Sequence, residues 1–254
     1  MTQVKLKAQD SCQGLHVPCG DCPIRYRAVC ASCEAPELDR LDATKYYRRY
    51  EAGQVVALAG ERVDFVASVV QGVAGLSQTM EDGRTQMVGL LLPSDFLGRP
   101  GRATSAYTVT ALSDLTLCCF RRAPFEELLR STPRIATRLL DMTQDDLDAA
   151  REWLLLLGRK SAREKIASFI AFRARREAGL HQTRPEGRVR IDLPLTRETM
   201  ADYLGLTLET VSRQISALKR DGVITLEGNR RVTVPDFHRL VLESGDDSDG
   251  GLPA

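Results

Sequence analysis

The chain has 254 residues, a formal net charge of +1, 43% hydrophobic and 27% charged residues. At roughly 150 residues per domain the length suits two compact domains, and the apolar share excludes a chain that stays unfolded for want of a core. Its apolar runs are shorter than the about 20 residues that cross a bilayer, and the N-terminus has no apolar leader. A cytoplasmic protein that avoids membranes is expected.

Residues 1–40 form a cysteine-rich segment. Five of the seven cysteines, Cys12, Cys19, Cys22, Cys30 and Cys33, lie in the first 33 residues, and the other two are the adjacent Cys118 and Cys119. An odd number of thiols without a leader argues against a secreted disulfide framework. Cys19-x2-Cys22-x7-Cys30-x2-Cys33 places pairs of thiolates on tight turns, where both reach one soft metal centre. Four thiolates suit a tetrahedral zinc ion. The gap between the pairs, however, is shorter than the about 12–20 residues of zinc-finger pairs. An iron–sulfur cluster often takes its fourth ligand from elsewhere in the fold, and both readings stand on spacing alone.

Residues 41–130 read as a small all-β barrel or roll. Short β-branched runs at 54–58, 65–70 and 86–92 are separated by glycines, with a turn at 81–83. The run 112–120 is a late strand. Strand alternation sends Cys118 and Cys119 to opposite faces, so only one of them meets the N-terminal thiols.

Residues 131–158 predict one long helix. Leu140, Thr143, Leu147, Ala150, Leu154 and Leu157 recur at three- and four-residue spacing, flanked by Leu139, Met142, Trp153 and Leu156. Because this helix joins two domains, pairing with a second copy is expected. Glu152 interrupts the stripe, and a like-charge pair there would make a dimer marginal.

Residues 159–242 hold 17 Lys and Arg against 10 Asp and Glu, a net of +7 in a nearly neutral chain. That asymmetry is the electrostatic footprint of a nucleic-acid-binding domain. Thr196 caps a helix running to about Leu204, Gly205 makes the turn, and Thr207 caps a second helix that buries Val211, Ile215 and Leu218. A hairpin over 223–234, turning at Gly228 and Asn229, makes it a winged helix-turn-helix. On the second helix Glu209, Ser212 and Arg213 face outward near the N-terminus, where a recognition helix meets base edges. Arg213 suits guanine O6/N7, Glu209 suits cytosine N4, and Ser212 suits either. Lys219, Arg220, Arg230 and Arg231 suit phosphates. Residues 243–254 read as a disordered acidic tail. His16, His181 and His238 are scattered and no hydrolase, P-loop or zincin motif occurs, so no enzyme is expected.

The order of β-roll, long helix and winged helix-turn-helix resembles the CRP/FNR transcription regulators, an α+β architecture, over about residues 15–240. The sequence ETVSR at 209–213 looks like the E-x-x-S-R recognition motif of the FNR branch. FLG at 96–98, after LPSD at 92–95, resembles the family's β-roll signature, and Cys19-x2-Cys22-x7-Cys30 is similar to the FnrL-like, oxygen-responsive subgroup. The resemblance implies a homodimer that reads palindromic TTGAT-like half-sites in double-stranded DNA without oxygen. It implies an oxygen-labile [4Fe–4S] cluster on Cys19, Cys22, Cys30 and Cys118, with Cys119 as the fallback fourth ligand. It assigns no role to Cys33 or Cys12. The loop at 80–84 is the candidate contact with RNA polymerase. The alternatives are a structural zinc protein or a cyclic-nucleotide-responsive regulator of the CRP type. Cyclic nucleotide is not expected, because Arg99 follows Gly98 where that branch has an acid, and no arginine precedes Ser105.

Overall fold

The computed structural model describes residues 17–228 and 231–246. The chain divides into two compact units, Met1–Leu140 and Asp141–Ala254. In the first, a 3-10 turn (Cys19–Asp21) and a short helix α1 (Ala35–Thr44) precede eight strands: β1 (Lys45–Tyr50), β2 (Val55–Ala57), β3 (Phe65–Gln71), β4 (Ala74–Thr79), β5 (Thr85–Leu91), β6 (Phe96–Leu97), β7 (Thr108–Ala111) and β8 (Leu115–Arg121). These make two four-stranded antiparallel sheets, in the orders β1-β8-β3-β6 and β2-β7-β4-β5. The alternate residues Phe65, Ala67 and Val69 of β3 and Leu115, Leu117 and Cys119 of β8 point into one apolar core with Val109 and Ala111 of the second sheet. The roll expected over 41–130 is therefore present. Gly98, with φ of +107°, lies so close to Val66 that a Cβ would stand 2.9 Å from its Cγ1. Only glycine fits there.

Helix α2 (Arg122–Ser131) leads into α3 (Pro133–Arg159). Pro133 suits the first helical turn, where its missing N–H costs nothing. Helix α3 begins in the first unit and ends in the second. Its apolar residues divide between two faces. Ile135 and Leu156 are buried, whereas Leu140, Leu147, Leu154 and Leu155 are exposed. Trp153 stacks on Tyr203 with ring centroids 4.3 Å apart. Glu152, expected to interrupt the stripe, is half-buried in the single chain. Four-residue spacing puts Glu152 above Leu156 on the buried side. There its Oε2 is buried without a hydrogen-bond partner among the described residues, and burial, followed by the charge of Asp246, raises its carboxyl above the ordinary value.

The second unit is built on α4 (Ala162–Leu180). Ser161 and Glu164 form a reciprocal capping box at its start, and Ile166, Phe169 and Ile170 are fully buried. Burial of Phe169 alone contributes about 1.5–3 kcal/mol over leaving it exposed. Then follow β9 (Val189–Asp192), α5 (Arg197–Leu204), α6 (Leu208–Arg220), β10 (Thr225–Glu227), β11 (Arg231–Val234) and α7 (Phe237–Glu243). The expected hairpin is β10 with β11, and β9 adds a third strand beside β11. Val189, Arg190, Ile191 and Asp192 alternate apolar and polar residues, with Ile191 buried, a period-two pattern at the short limit for a strand. The acidic tail begins later than expected, since Glu243 closes α7 and Asp246 pairs with Lys160. The rest of that tail, like Cys12 and His16, lies outside the described residues.

Candidate metal centre and nucleic-acid interface

Cys19, Cys22, Cys30 and Cys118 line one cavity, together with Ile24, Leu41, Lys45, Tyr47, Ser68 and Phe120. The first three come from the N-terminal segment and the fourth from β8, in register with Tyr47 of β1 and Ser68 of β3. Cys119, one residue on, is fully buried in the β-roll core. Strand alternation thus divides the two neighbours as the sequence required. Cys33 is buried but does not line the cavity. All six described cysteines are free thiols.

The backbone of the cysteine segment is held by groups that the sequence did not single out. Arg25 donates from Nη1 to the carbonyls of Cys30 and Ala31, both at 2.7 Å, and from Nη2 to that of Cys33 at 2.8 Å. Asp42 of α1 accepts from the Cys19 N–H at 3.0 Å. Lys45, at the head of β1, donates to Asp42 at 2.6 Å and lies 3.5 Å from Cys19 Sγ. A search for these groups would have needed the fold. Arg25 is one basic residue among many, and Lys45 lies 26 positions from the thiol it meets.

Burial pushes the Cys30 thiol up to about 12, against the opposing charge of Arg25. Burial likewise raises Cys118 and Cys19, the latter opposed chiefly by Lys45. Burial thus favours the neutral thiol at each, and a metal that takes them as thiolates must displace protons. Cys33 is raised to about 11 by burial and Glu37. The donor set is soft and all-sulfur, as zinc and iron–sulfur clusters both require. Among the described residues no three His, Cys, Asp or Glu side chains converge as ligands of one metal ion. The four thiols line one shared cavity.

The same segment touches the start of α3. Arg138 donates to the Arg27 carbonyl at 2.7 Å, and Arg134 pairs with Glu34. The thiol loop is therefore fastened on one side to the β-roll and on the other to the first two turns of α3.

In the second unit, Thr196 and Thr207 cap α5 and α6 by accepting from the N–H groups of Thr199 and Thr210. Gly205 takes φ of +62° between the helices, a left-handed conformation that favours glycine. Val211, Ile215 and Leu218 are buried beneath α6, while Glu209, Ser212 and Arg213 are exposed on one face. Ser216 extends that face by one turn, and its hydroxyl donates to the Ser212 carbonyl at 2.9 Å. The Glu209 carboxyl is held below its ordinary value by its own backbone N–H and the Thr207 hydroxyl, so it also serves the helix N-terminus. Among the described residues Arg213 has no ion-pair partner. Of the expected phosphate contacts, Lys219 and Arg220 are exposed at the end of α6. Arg231 is instead tied to Asp192 at 3.1 Å and to Glu227 at 3.7 Å. The Arg230 side chain lies outside the described residues. Among the described residues no helix is long and apolar enough to cross a membrane.

Comparison with known proteins agrees with this geometry. Residues 133–242 match the Crp-like helix-turn-helix domain, and residues 47–132 match the cyclic nucleotide-binding domain. The chain is 69% identical to the transcriptional activator protein FnrL of Cereibacter sphaeroides, covering 92% of this chain and 95% of that protein. It is 36% identical to the nitrogen fixation regulation protein FixK of Bradyrhizobium diazoefficiens, over 82% and 86% of the two chains. The solved structure of FixK2 from Bradyrhizobium japonicum superposes with a TM-score of 0.70 at 30% identity, over 80% of this chain and 98% of that one. A β-roll, a long helix and a winged helix-turn-helix with these relatives leave one assignment: the chain belongs to the CRP/FNR family of DNA-binding transcription regulators, in its FNR branch.

Proposed function

We propose that the protein is an oxygen-responsive transcription activator in which Cys19, Cys22, Cys30 and Cys118 hold a [4Fe–4S] cluster. The observation that carries this reading is the convergence of these four thiols on one cavity, while Cys119 is turned into the core. Three thiols from one short segment and a fourth from a distant strand suit a cluster that brings its own sulfides and takes its last ligand from elsewhere in the fold. Bound there, such a cluster supplies an oxygen-labile covalent tie between the cysteine segment and β8.

The chain's own residues give that tie its consequence. Arg25 keeps the segment folded around the thiols. Arg138 and Arg134 join it to α3, so order in the segment bears on the helix. Leu140, Leu147 and Leu154 form a seven-residue repeat of exposed apolar side chains, the pattern by which two helices pair. Such a homodimer sets two α6 helices one DNA turn apart, about 34 Å, to read a palindrome. Arg213, Glu209 and Ser212 read the half-site, TTGAT-like by family analogy. The fully exposed turn around Met80 to Arg84 is the proposed contact with RNA polymerase, in keeping with the activator named above.

The test is anaerobic purification with iron and acid-labile sulfide analysis, followed by operator binding before and after exposure to air. Brown protein with about four irons per chain, whose operator binding fades in air, is the expected outcome. Colourless protein carrying one zinc, or binding indifferent to air, refutes it.

A further inference from the structure

Resting on the reading of the four-thiol cavity, we infer that Ser68 is a positioning residue for the group held there, donating a hydrogen bond from its hydroxyl to a sulfur at the centre. Three observations converge on it. Ser68 is 2% exposed, its Oγ has no hydrogen-bond partner among the described residues, and it lines the cavity beside Cys19, Cys22, Cys30 and Cys118.

The strand register leaves the side chain no other direction. Ser68 stands opposite Cys118 on β8 and opposite Phe96 on β6. Its neighbours Ala67 and Val69 point into the apolar core between the sheets, so alternation turns Ser68 to the thiol side. A buried hydroxyl without a partner is unfavourable, and alanine would avoid the penalty in a strand whose other residues are mostly apolar. The one polar choice in the run 65–70 is thus the residue facing the thiols. Hydroxyl hydrogens donate to thiolate and sulfide, and such bonds stabilise the more negative state of an iron–sulfur centre and raise its reduction potential. Lys45, 3.5 Å from Cys19 Sγ with a side chain 2% exposed, adds positive charge to the same cavity. Ser68 is then the neutral donor and Lys45 the charged one.

The experiment compares the parent protein with Ser68→Ala and Ser68→Thr, all prepared anaerobically. The expected result is that Ser68→Ala holds as much iron and sulfide as the parent. Its oxidation equilibrium shifts about tenfold toward the oxidised form, about 59 mV more negative for one electron, and it bleaches faster in air. Ser68→Thr, which keeps the hydroxyl, returns both values to those of the parent. The metal-free form of Ser68→Ala should melt no lower than the metal-free parent, because no bond within the protein is lost. Loaded Ser68→Ala with the parent's potential and bleaching rate overturns the inference while leaving the four-thiol reading intact. A metal-free Ser68→Ala that melts clearly lower also overturns it, because the hydroxyl would then serve the fold. A parent that binds no iron overturns both together.

Discussion

The exposed leucines of α3 give the sharpest quantitative test. Leu154 is 71% exposed in the single chain, so most of its apolar surface remains to be removed from water. Full burial of a leucine is worth about 1.5–3 kcal/mol, which leaves about 1–2 kcal/mol to be gained when Leu154 is covered. A two-fold axis counts every substitution twice, and alanine retains only the first side-chain carbon. Leu154→Ala should therefore weaken pairing by about 1.5–3 kcal/mol per dimer, a factor of about 10–150 in the dissociation constant. Sedimentation equilibrium of anaerobic protein over a range of concentrations measures it. The control is Leu242→Ala, another exposed leucine at 58% but on α7, which should leave association unchanged. The melting temperature of dilute monomer should be the same for all three proteins. An unchanged dissociation constant for Leu154→Ala would refute the pairing face.

The remaining predictions address the thiols, the link to α3 and the recognition helix. Cys118→Ser should lose iron and sulfide. Cys119→Ser should keep them and lower the melting temperature instead, since a hydroxyl buried in the apolar core costs about 1–3 kcal/mol. Elemental analysis and calorimetry separate the two, and equal iron in both variants would reject Cys118 as a ligand. Arg138→Met removes a charged donor from the Arg27 carbonyl, worth about 1.5–3 kcal/mol. It should keep the cluster yet pair about 10–100-fold more weakly, and tight pairing in that variant would show that the contact carries no signal. Arg213→Ala should cost about 1–3 kcal/mol on the cognate half-site and much less on random DNA. A loss of the same size on both sequences would make Arg213 a phosphate contact.

The helix-turn-helix was fully legible in the sequence because its signals are local. Thr196, Gly205 and Thr207 each act within a few residues of themselves, as caps and a left-handed turn. The opposite facing of Cys118 and Cys119 was legible for the same reason, since alternation along a strand is a property of neighbours. Strand β9 was less legible, because its own alternation spans only Val189–Asp192 and its stability comes from pairing with β11, some 40 residues away. The half-buried setting of Glu152 was not legible, because a three- or four-residue rhythm marks an apolar stripe without saying which half of it meets the same chain. Ser68, Lys45, Arg25 and Asp42 drew no notice because their meaning depends on partners brought in by the fold. An unpaired hydroxyl becomes visible only when the space in front of it is known.

The grip of Arg25 on the carbonyls of Cys30, Ala31 and Cys33 bears on how the proposed cluster would be rebuilt. One guanidinium holds the bend in shape by contacts that involve no sulfur, so emptying the thiols need not unravel the bend. Reassembly then asks for side-chain rotation and proton release rather than renewed folding of the segment. Under the proposed reading, recovery without air would be limited by the supply of iron and sulfide rather than by refolding of the chain.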